Sequence, residues 1–195
     1  MLDGIRPRAR SWAQYPARLL AATGLSPNAL TILGLLLNLG VAAVLAMGNP
    51  VAGGLLFLAA NAFDMLDGAV ARITGKSSTF GAFLDSTIDR YDEAIVFLGL
   101  MAWLYGQGDG ALLVAAYLGI VGSLMVSYTR ARAEGLGLRG EVGWLPRPER
   151  IIVLSAGLIF HGYLLAPVLW LLAVLTNLTA LQRVLHVWRE TRNRG

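Results

Sequence analysis

The sequence predicts an all-α membrane protein with six transmembrane helices and an N-terminal amphipathic helix on the membrane surface. Three observations predict it. The 195 residues are 56% hydrophobic, with a mean hydropathy of +0.61. Only 14% are charged, where about 25% is usual for a soluble domain. Apolar runs near the length that crosses a bilayer, about 20 residues, recur along the chain.

The elements follow in order. Residues 1–24, "MLDGIRPRARSWAQYPARLLAATG", are basic and amphipathic without a long apolar core. That pattern predicts a juxtamembrane surface helix and not a cleaved signal peptide. Residues 25–195 form one membrane domain. Its spans are expected at 27–47, 51–73, 79–105, 110–134, 148–163 and 166–189. The fifth is short, and "HGYLLAP" is expected to separate it from the sixth. There are no cysteines, which excludes disulfides and thiolate chemistry.

The basic residues set the orientation. Arg6, Arg8, Arg10 and Arg18 precede the first span, and Arg72, Lys76 and Arg90 flank the second connection. Arg130, Arg132, Arg139, Arg147 and Arg150 flank the fourth, and Arg183, Arg189, Arg192 and Arg194 close the chain. The connections at 48–50, 106–110 and 161–163 carry no Lys or Arg. The positive-inside rule then puts both termini at the cytoplasmic face of the cell inner membrane. The net charge of +4 belongs to this face. Anionic lipid and phosphorylated substrates suit it, and nucleic acid does not.

Residues 63–90, "FDMLDGAVARITGKSSTFGAFLDSTIDR", concentrate acid at that face. Asp64 and Asp67 are three apart and Asp85 and Asp89 four apart, so each pair shares a helix face. A short turn, "ITGKSST", brings the pairs together. Ionised carboxylates at membrane depth are costly unless compensated. Hard oxygen ligands that leave positions for phosphate suit Mg²⁺, with Mn²⁺ as the alternative, and four carboxylates can hold two such ions. Gly68 lets a phosphate approach the backbone, Ala71 keeps the same face clear, and Arg72 suits bidentate phosphate pairing. Gly81 permits close approach of the third span to the second. Asp89, furthest from the turn, can ligate metal on one oxygen and accept a proton on the other. The bland alternative, interfacial aspartates paired with Arg72 and Arg90, fits one such residue better than four.

The run Asp64-x2-Asp67-Gly68-x2-Ala71-Arg72-x8-Gly81-x3-Asp85-x3-Asp89 resembles the full signature of the CDP-alcohol phosphatidyltransferases at every fixed position. "LSPNALT" before the first span is similar to family sequence as well. The resemblance implies six membrane helices, an N-terminal surface helix and a homodimer. It also implies a reaction in which CDP-diacylglycerol gives its phosphatidyl group to an alcohol and CMP leaves. By resemblance, Asp64, Asp67, Asp85 and Asp89 bind metal, Asp89 is also the general base, and Gly68 and Arg72 contact the CDP moiety.

The acceptor is read from arginines. Arg130 and Arg132 close the fourth span, Arg147 and Arg150 open the fifth, and Arg183 lies inside the apolar run of the sixth. Such a cluster suits a second phosphate, hence a phosphorylated polyol acceptor and not a free alcohol. "SYTRARAEGLGLRGEVGWLPRPER" and "LQR" resemble bacterial phosphatidylinositol-phosphate synthases, which use L-myo-inositol 1-phosphate. There, residues matching Ser127, Arg132, Arg150 and Arg183 hold the acceptor phosphate, with Arg147 close by. The subfamily commonly has lysine at the position of Arg130, which leaves glycerol 3-phosphate open as acceptor. Arg139, Arg189, Arg192 and Arg194 read as topology and headgroup contacts. His161 and His186 read as interfacial, as do the aromatic anchors Trp103, Trp144, Trp170, Trp188, Tyr105 and Tyr163. Two other classes compete. A cation transporter would spread acid through membrane depth. An Asp-rich prenyltransferase would space its aspartates differently in a longer chain.

Overall fold

Capping residues and prolines in the sequence set most of the helix limits. The computed structural model describes residues 15–138, 140 and 142–192. Helix α1 is described over 15–22. Helix α2 (Pro27–Ala46) starts where the Ser26 hydroxyl accepts from the Ala29 N–H and Pro27 takes the first helical position. Helix α3 (Pro50–Thr74) also opens on proline and ends at Gly75, whose φ of 67° is a left-handed cap. Ser78 and Asp109 cap α4 (Thr79–Gly106) and α5 (Gly110–Gly135) by the same side-chain bond. Helices α6 (Arg147–Ile159) and α7 (His161–Arg192) complete the chain.

Helices α2, α3, α5 and α7 are long and apolar enough to cross a membrane. Helix α4 has the length, 28 residues, but carries charge through its N-terminal half. Helix α6 has 13 residues, about 20 Å of helix against a hydrocarbon core of about 30 Å. The expected "HGYLLAP" separator is not a loop. Only Phe160 interrupts the helices, and Pro167 lies inside α7. Proline is tolerated there because neighbouring helices enclose the turn it weakens. Of the expected surface helix, 1–14 lie outside the described residues, as do Arg139 and Arg194. The described part docks by Ala17, which packs with Leu30 of α2 and Val70 of α3.

Helices α2 to α7 form a closed ring in the order α2, α3, α6, α7, α5, α4 and back to α2. So α3 and α4, consecutive in sequence, are not ring neighbours; α2 lies between them. Phe57, Val96, Phe97, Leu100, Leu158, Leu169 and Leu172 fill the interior. Large apolar side chains such as Leu36, Leu55, Leu98 and Val174 stay exposed on the outside, where lipid would cover them.

Small residues set the helix spacing. A Cβ on Gly99 of α4 would strike the backbone of Ala42 on α2, and one on Gly122 of α5 would strike Thr176 of α7. A buried polar tie joins three helices. Arg150 of α6 gives Nε and Nη2 to the two oxygens of Glu93 of α4, at 3.0 and 3.4 Å, and Nη1 to the Leu145 carbonyl at 3.2 Å. Ser123 of α5 donates to the same Glu93 at 2.9 Å. Arg150 and Glu93 are both buried.

Two stability predictions follow, both read by thermal unfolding in detergent. Gly99→Val should cost more than about 1 kcal/mol, whereas Gly40→Val, with open space at its Cβ, should leave the midpoint unchanged. Arg150→Met strands a buried carboxylate and should cost about 3–5 kcal/mol. Adding Glu93→Gln to Arg150→Met should recover part of that loss.

Candidate active site

Asp64 and Asp67 lie on one face of α3 and are buried. Their oxygens and one of Asp85 from α4 lie within 4.8 Å of one another. Asp64 also forms such a group with Asp89 and Asp92 of α4, so it is common to both. The expected meeting of the two aspartate pairs is therefore observed, with α2 as the third wall. Thr31 of α2 donates to Asp67 Oδ2 at 2.7 Å.

Two arginines face the carboxylates. Arg147 Nη1 donates to Asp64 Oδ2 at 3.2 Å and lies 2.6 Å from Asp89 Oδ1. Arg90 Nη2 donates to the other oxygen, Asp89 Oδ2, at 3.2 Å. Asp92 is 1% exposed, and neither of its oxygens has a well-formed hydrogen bond. Asn38 of α2 lies beside it and gives its amide to the Gly34 carbonyl at 3.1 Å. Asp64 Oδ1 is also buried without a hydrogen-bond partner. Buried carboxylate oxygens in excess of the cations facing them are what a hard divalent ion satisfies, and the donor set is all oxygen. The residues present fit divalent metal binding.

A cleft of about 200 Å³ opens beside this cluster. Gly68, Ala71, Arg72 and Gly81 line it together with Asp67 and Asp85. At Gly68 a Cβ would sit 3.5 Å from the Arg72 guanidinium, inside the space the cleft offers a ligand. Gly81 departs from expectation. Its close approach is not to α3 but to α2, where a Cβ would come within 3.2 Å of Asn28 Oδ1. The reason is the ring order: α2 separates α3 from α4, and the cleft occupies the gap. Asn28 and Lys76 line it too.

The other arginines lie across the ring. Arg183 of α7 is close enough to Arg130 and Arg150 for their charges to repel it. It gives Nε to the Val142 carbonyl at 2.8 Å and Nη1 to the Val126 carbonyl. Arg130 Nε pairs with Glu134 at 2.7 Å. Ser127 bonds back to the Ser123 carbonyl at 3.3 Å, and Arg132 is exposed. Arg150 is held by Glu93 as described. Arg147, expected among these arginines, has its guanidinium on Asp64 and Asp89.

Sequence reasoning missed Asp92, Glu93, Ser123, Thr31 and Asn28. A signal existed for two of them. Asp92 lies three residues beyond Asp89 and seven beyond Asp85, and Glu93 lies four beyond Asp89, so all continue one helix face. Thr31, Asn28 and Ser123 are ordinary helix residues that only packing singles out.

Comparisons with known proteins agree with this geometry. The sequence profile of the CDP-alcohol phosphatidyltransferase family matches residues 24–188. The phosphatidylinositol phosphate synthase of Mycobacterium tuberculosis is 39% identical over 181 residues, covering 88% of this chain and 83% of that protein. The archaetidylinositol phosphate synthase of Pyrococcus horikoshii is 37% identical over 186 residues, covering 94% and 95%. A crystal structure of the M. tuberculosis enzyme with CDP-DAG bound superposes with a TM-score of 0.85 at 38% identity, covering 90% of this chain and 93% of that one. A second, in complex with manganese and citrate, gives 0.84 at 39% identity, covering 90% and 88%. With the full motif, the carboxylate cluster and the adjoining cleft in place, the chain belongs to the CDP-alcohol phosphatidyltransferase family.

Proposed function

We propose that this chain moves the phosphatidyl group of CDP-diacylglycerol to a hydroxyl of L-myo-inositol 1-phosphate and releases CMP. The observation that carries the reading is the arrangement of the buried aspartates. They open on one side to the cleft lined by Gly68 and Arg72, and the arginines of α5, α6 and α7 lie across the ring. Both named relatives are inositol phosphate lipid synthases, and one was solved with CDP-DAG bound.

The cytidine diphosphate takes the cleft. Gly68, Ala71 and Gly81 leave it room, and Arg72 with Lys76 offsets its charge. Asp64, Asp67, Asp85 and Asp89 hold the metal, two Mg²⁺ ions with Mn²⁺ as substitute. When bound, these ions offset the diphosphate charge and stabilise the departing CMP. Asp89 takes the proton of the acceptor hydroxyl as its oxygen attacks the phosphorus that bears diacylglycerol. The bond from that phosphorus to the CMP oxygen breaks. Ser127, Arg130, Arg132, Arg150 and Arg183 receive the acceptor phosphate, and Arg147 reaches it from the carboxylate side.

The membrane arrangement is part of the proposal. Helices α2 to α7 all cross or enter the bilayer: α4 turns its acid into the ring, and the short α6 packs between α3 and α7. Residues 1–24 lie on the cytoplasmic surface, 25–195 form the catalytic domain in the cell inner membrane, and the active site faces the cytoplasm. The working unit is a homodimer. Glycerol 3-phosphate is the second acceptor reading, favoured only by arginine at position 130 in place of the common lysine.

Three experiments test this reading in detergent with CDP-diacylglycerol and Mg²⁺, following CMP. Inositol 1-phosphate should support release and glycerol 3-phosphate should not; the reverse order would overturn the acceptor assignment. Asp89→Asn should lower kcat by about 10²- to 10⁴-fold while CDP-lipid still binds. Retained turnover would remove Asp89 as base. Arg183→Ala should raise the acceptor KM at least about tenfold more than the donor KM, and equal effects on both would argue for a structural role alone.

A further inference from the structure

Arg147 sits where a phosphate-binding residue was not expected to sit. Its guanidinium lies on Asp64 and Asp89, two members of the Asp64, Asp89 and Asp92 group. The third member, Asp92, is buried with neither oxygen in a well-formed hydrogen bond. The group therefore carries more negative charge than the guanidinium neutralises.

We infer that Arg147 is the resident counter-cation of this group, and that a divalent cation entering it displaces the guanidinium toward the acceptor phosphate. This rests on the reading of the cluster as the metal site of the transferase. A guanidinium and a divalent ion compete for the same two carboxylates, Asp64 and Asp89. Like charges at that separation, in a poorly solvated ring interior, repel strongly. The doubly charged ion prevails because it satisfies three carboxylates at once, Asp92 included.

The fold confines the movement to the side chain. Pro146 and Pro148 bracket Arg147 and restrict the backbone on both sides. Leu145, two residues before it, is the only non-glycine with positive φ among the described residues, at 55°. Such a conformation persists only where the surroundings impose it, and Arg150 Nη1 holds the Leu145 carbonyl at 3.2 Å. The base of Arg147 is thus fixed, while its long side chain has several rotatable bonds. Arg150 lies three residues on, so both project from one face of α6. A guanidinium leaving the carboxylates finds its next anion on that side, at the acceptor phosphate. On metal loading, Arg147 thus leaves Asp64 and Asp89 for the acceptor side.

The test uses purified protein in detergent without either substrate, titrated with Mn²⁺ and read by the electron paramagnetic resonance of the free ion. Arg147→Ala should bind Mn²⁺ about tenfold more tightly than wild type at one class of sites, since a competing charge is gone. An affinity that is unchanged or weaker overturns the inference. A second measurement needs no variant. Labelling of Arg147 in the wild-type chain by an arginine-selective dicarbonyl, located by mass spectrometry, should rise severalfold when Mn²⁺ is added. Labelling that stays flat or falls overturns displacement. The two readings fail separately. A wild-type chain that binds no Mn²⁺ or releases no CMP breaks the transferase assignment. One that binds Mn²⁺ and turns over, while Arg147 labelling stays flat, breaks this inference alone.

Discussion

Five carboxylates converge in the interior of a helix ring, and the cost of that convergence organises much of the molecule. Asp64 is the point of greatest constraint because it belongs to both oxygen groups, one with Asp67 and Asp85 and one with Asp89 and Asp92. Left alone, such a cluster would swell the ring or protonate. The chain compensates from several directions. Thr31 reaches it from α2, Arg90 from α4 and Arg147 from α6. The apolar core holds the same helices together beyond it, and Gly99 and Gly122 allow backbone separations that larger residues would prevent. The folded state therefore stores unfavourable charge that a divalent cation relieves, which is a direct way to build affinity for one.

Ring order separates the carboxylate cleft from the arginines of α5, α6 and α7. Because α2 lies between α3 and α4, a cleft of about 200 Å³ remains beside the carboxylates, bordered by Gly68 and Arg72. The arginines of α5, α6 and α7 belong to the other part of the ring. Helix α6 joins the two regions. It borders α3 on one side and α7 on the other, with Arg147 directed to the aspartates and Arg150 to Glu93. Since Glu93 follows Asp89 by one helical turn, α4 carries in succession a carboxylate of the aspartate cluster and a carboxylate that fixes an arginine.

Much of this was legible in the sequence, and the gaps have physical causes. Asp64, Asp67, Asp85 and Asp89 were readable because helix periodicity converts their spacing into a shared face. Gly68, Ala71 and Arg72 share a face of α3 for the same reason, and one cleft brings them together with Gly81 of α4. Ring order was not readable. Apolar runs report where helices lie along the chain but not which ones touch, so Gly81 was matched to α3 when its neighbour is Asn28 of α2. The break between α6 and α7 was misjudged because His161, Gly162 and Pro167 have the composition of a loop, whereas neighbouring helices enforce helix up to Phe160 and from His161 onward. Arg147 and Arg150 look alike in sequence, three residues apart and both basic. Only packing assigns one to a pair of aspartates and the other to a buried glutamate.

The arginines also bear on how an acceptor would be selected. Arg183 spends donors on the Val142 and Val126 carbonyls, and Arg150 spends donors on Glu93 and the Leu145 carbonyl. These bonds restrict the guanidinium groups while leaving other N–H donors on each. A phosphate arriving among them meets groups whose positions are already set, so little ordering entropy is lost on binding. The same bonds tie the segment between α5 and α6 to α7, with Thr179 both donating to and accepting from the backbone of Trp144. The arginines proposed for the acceptor are thus tied to the packing of α5, α6 and α7, whereas the cleft depends on the motif of α3 and α4 and on the N-terminus of α2.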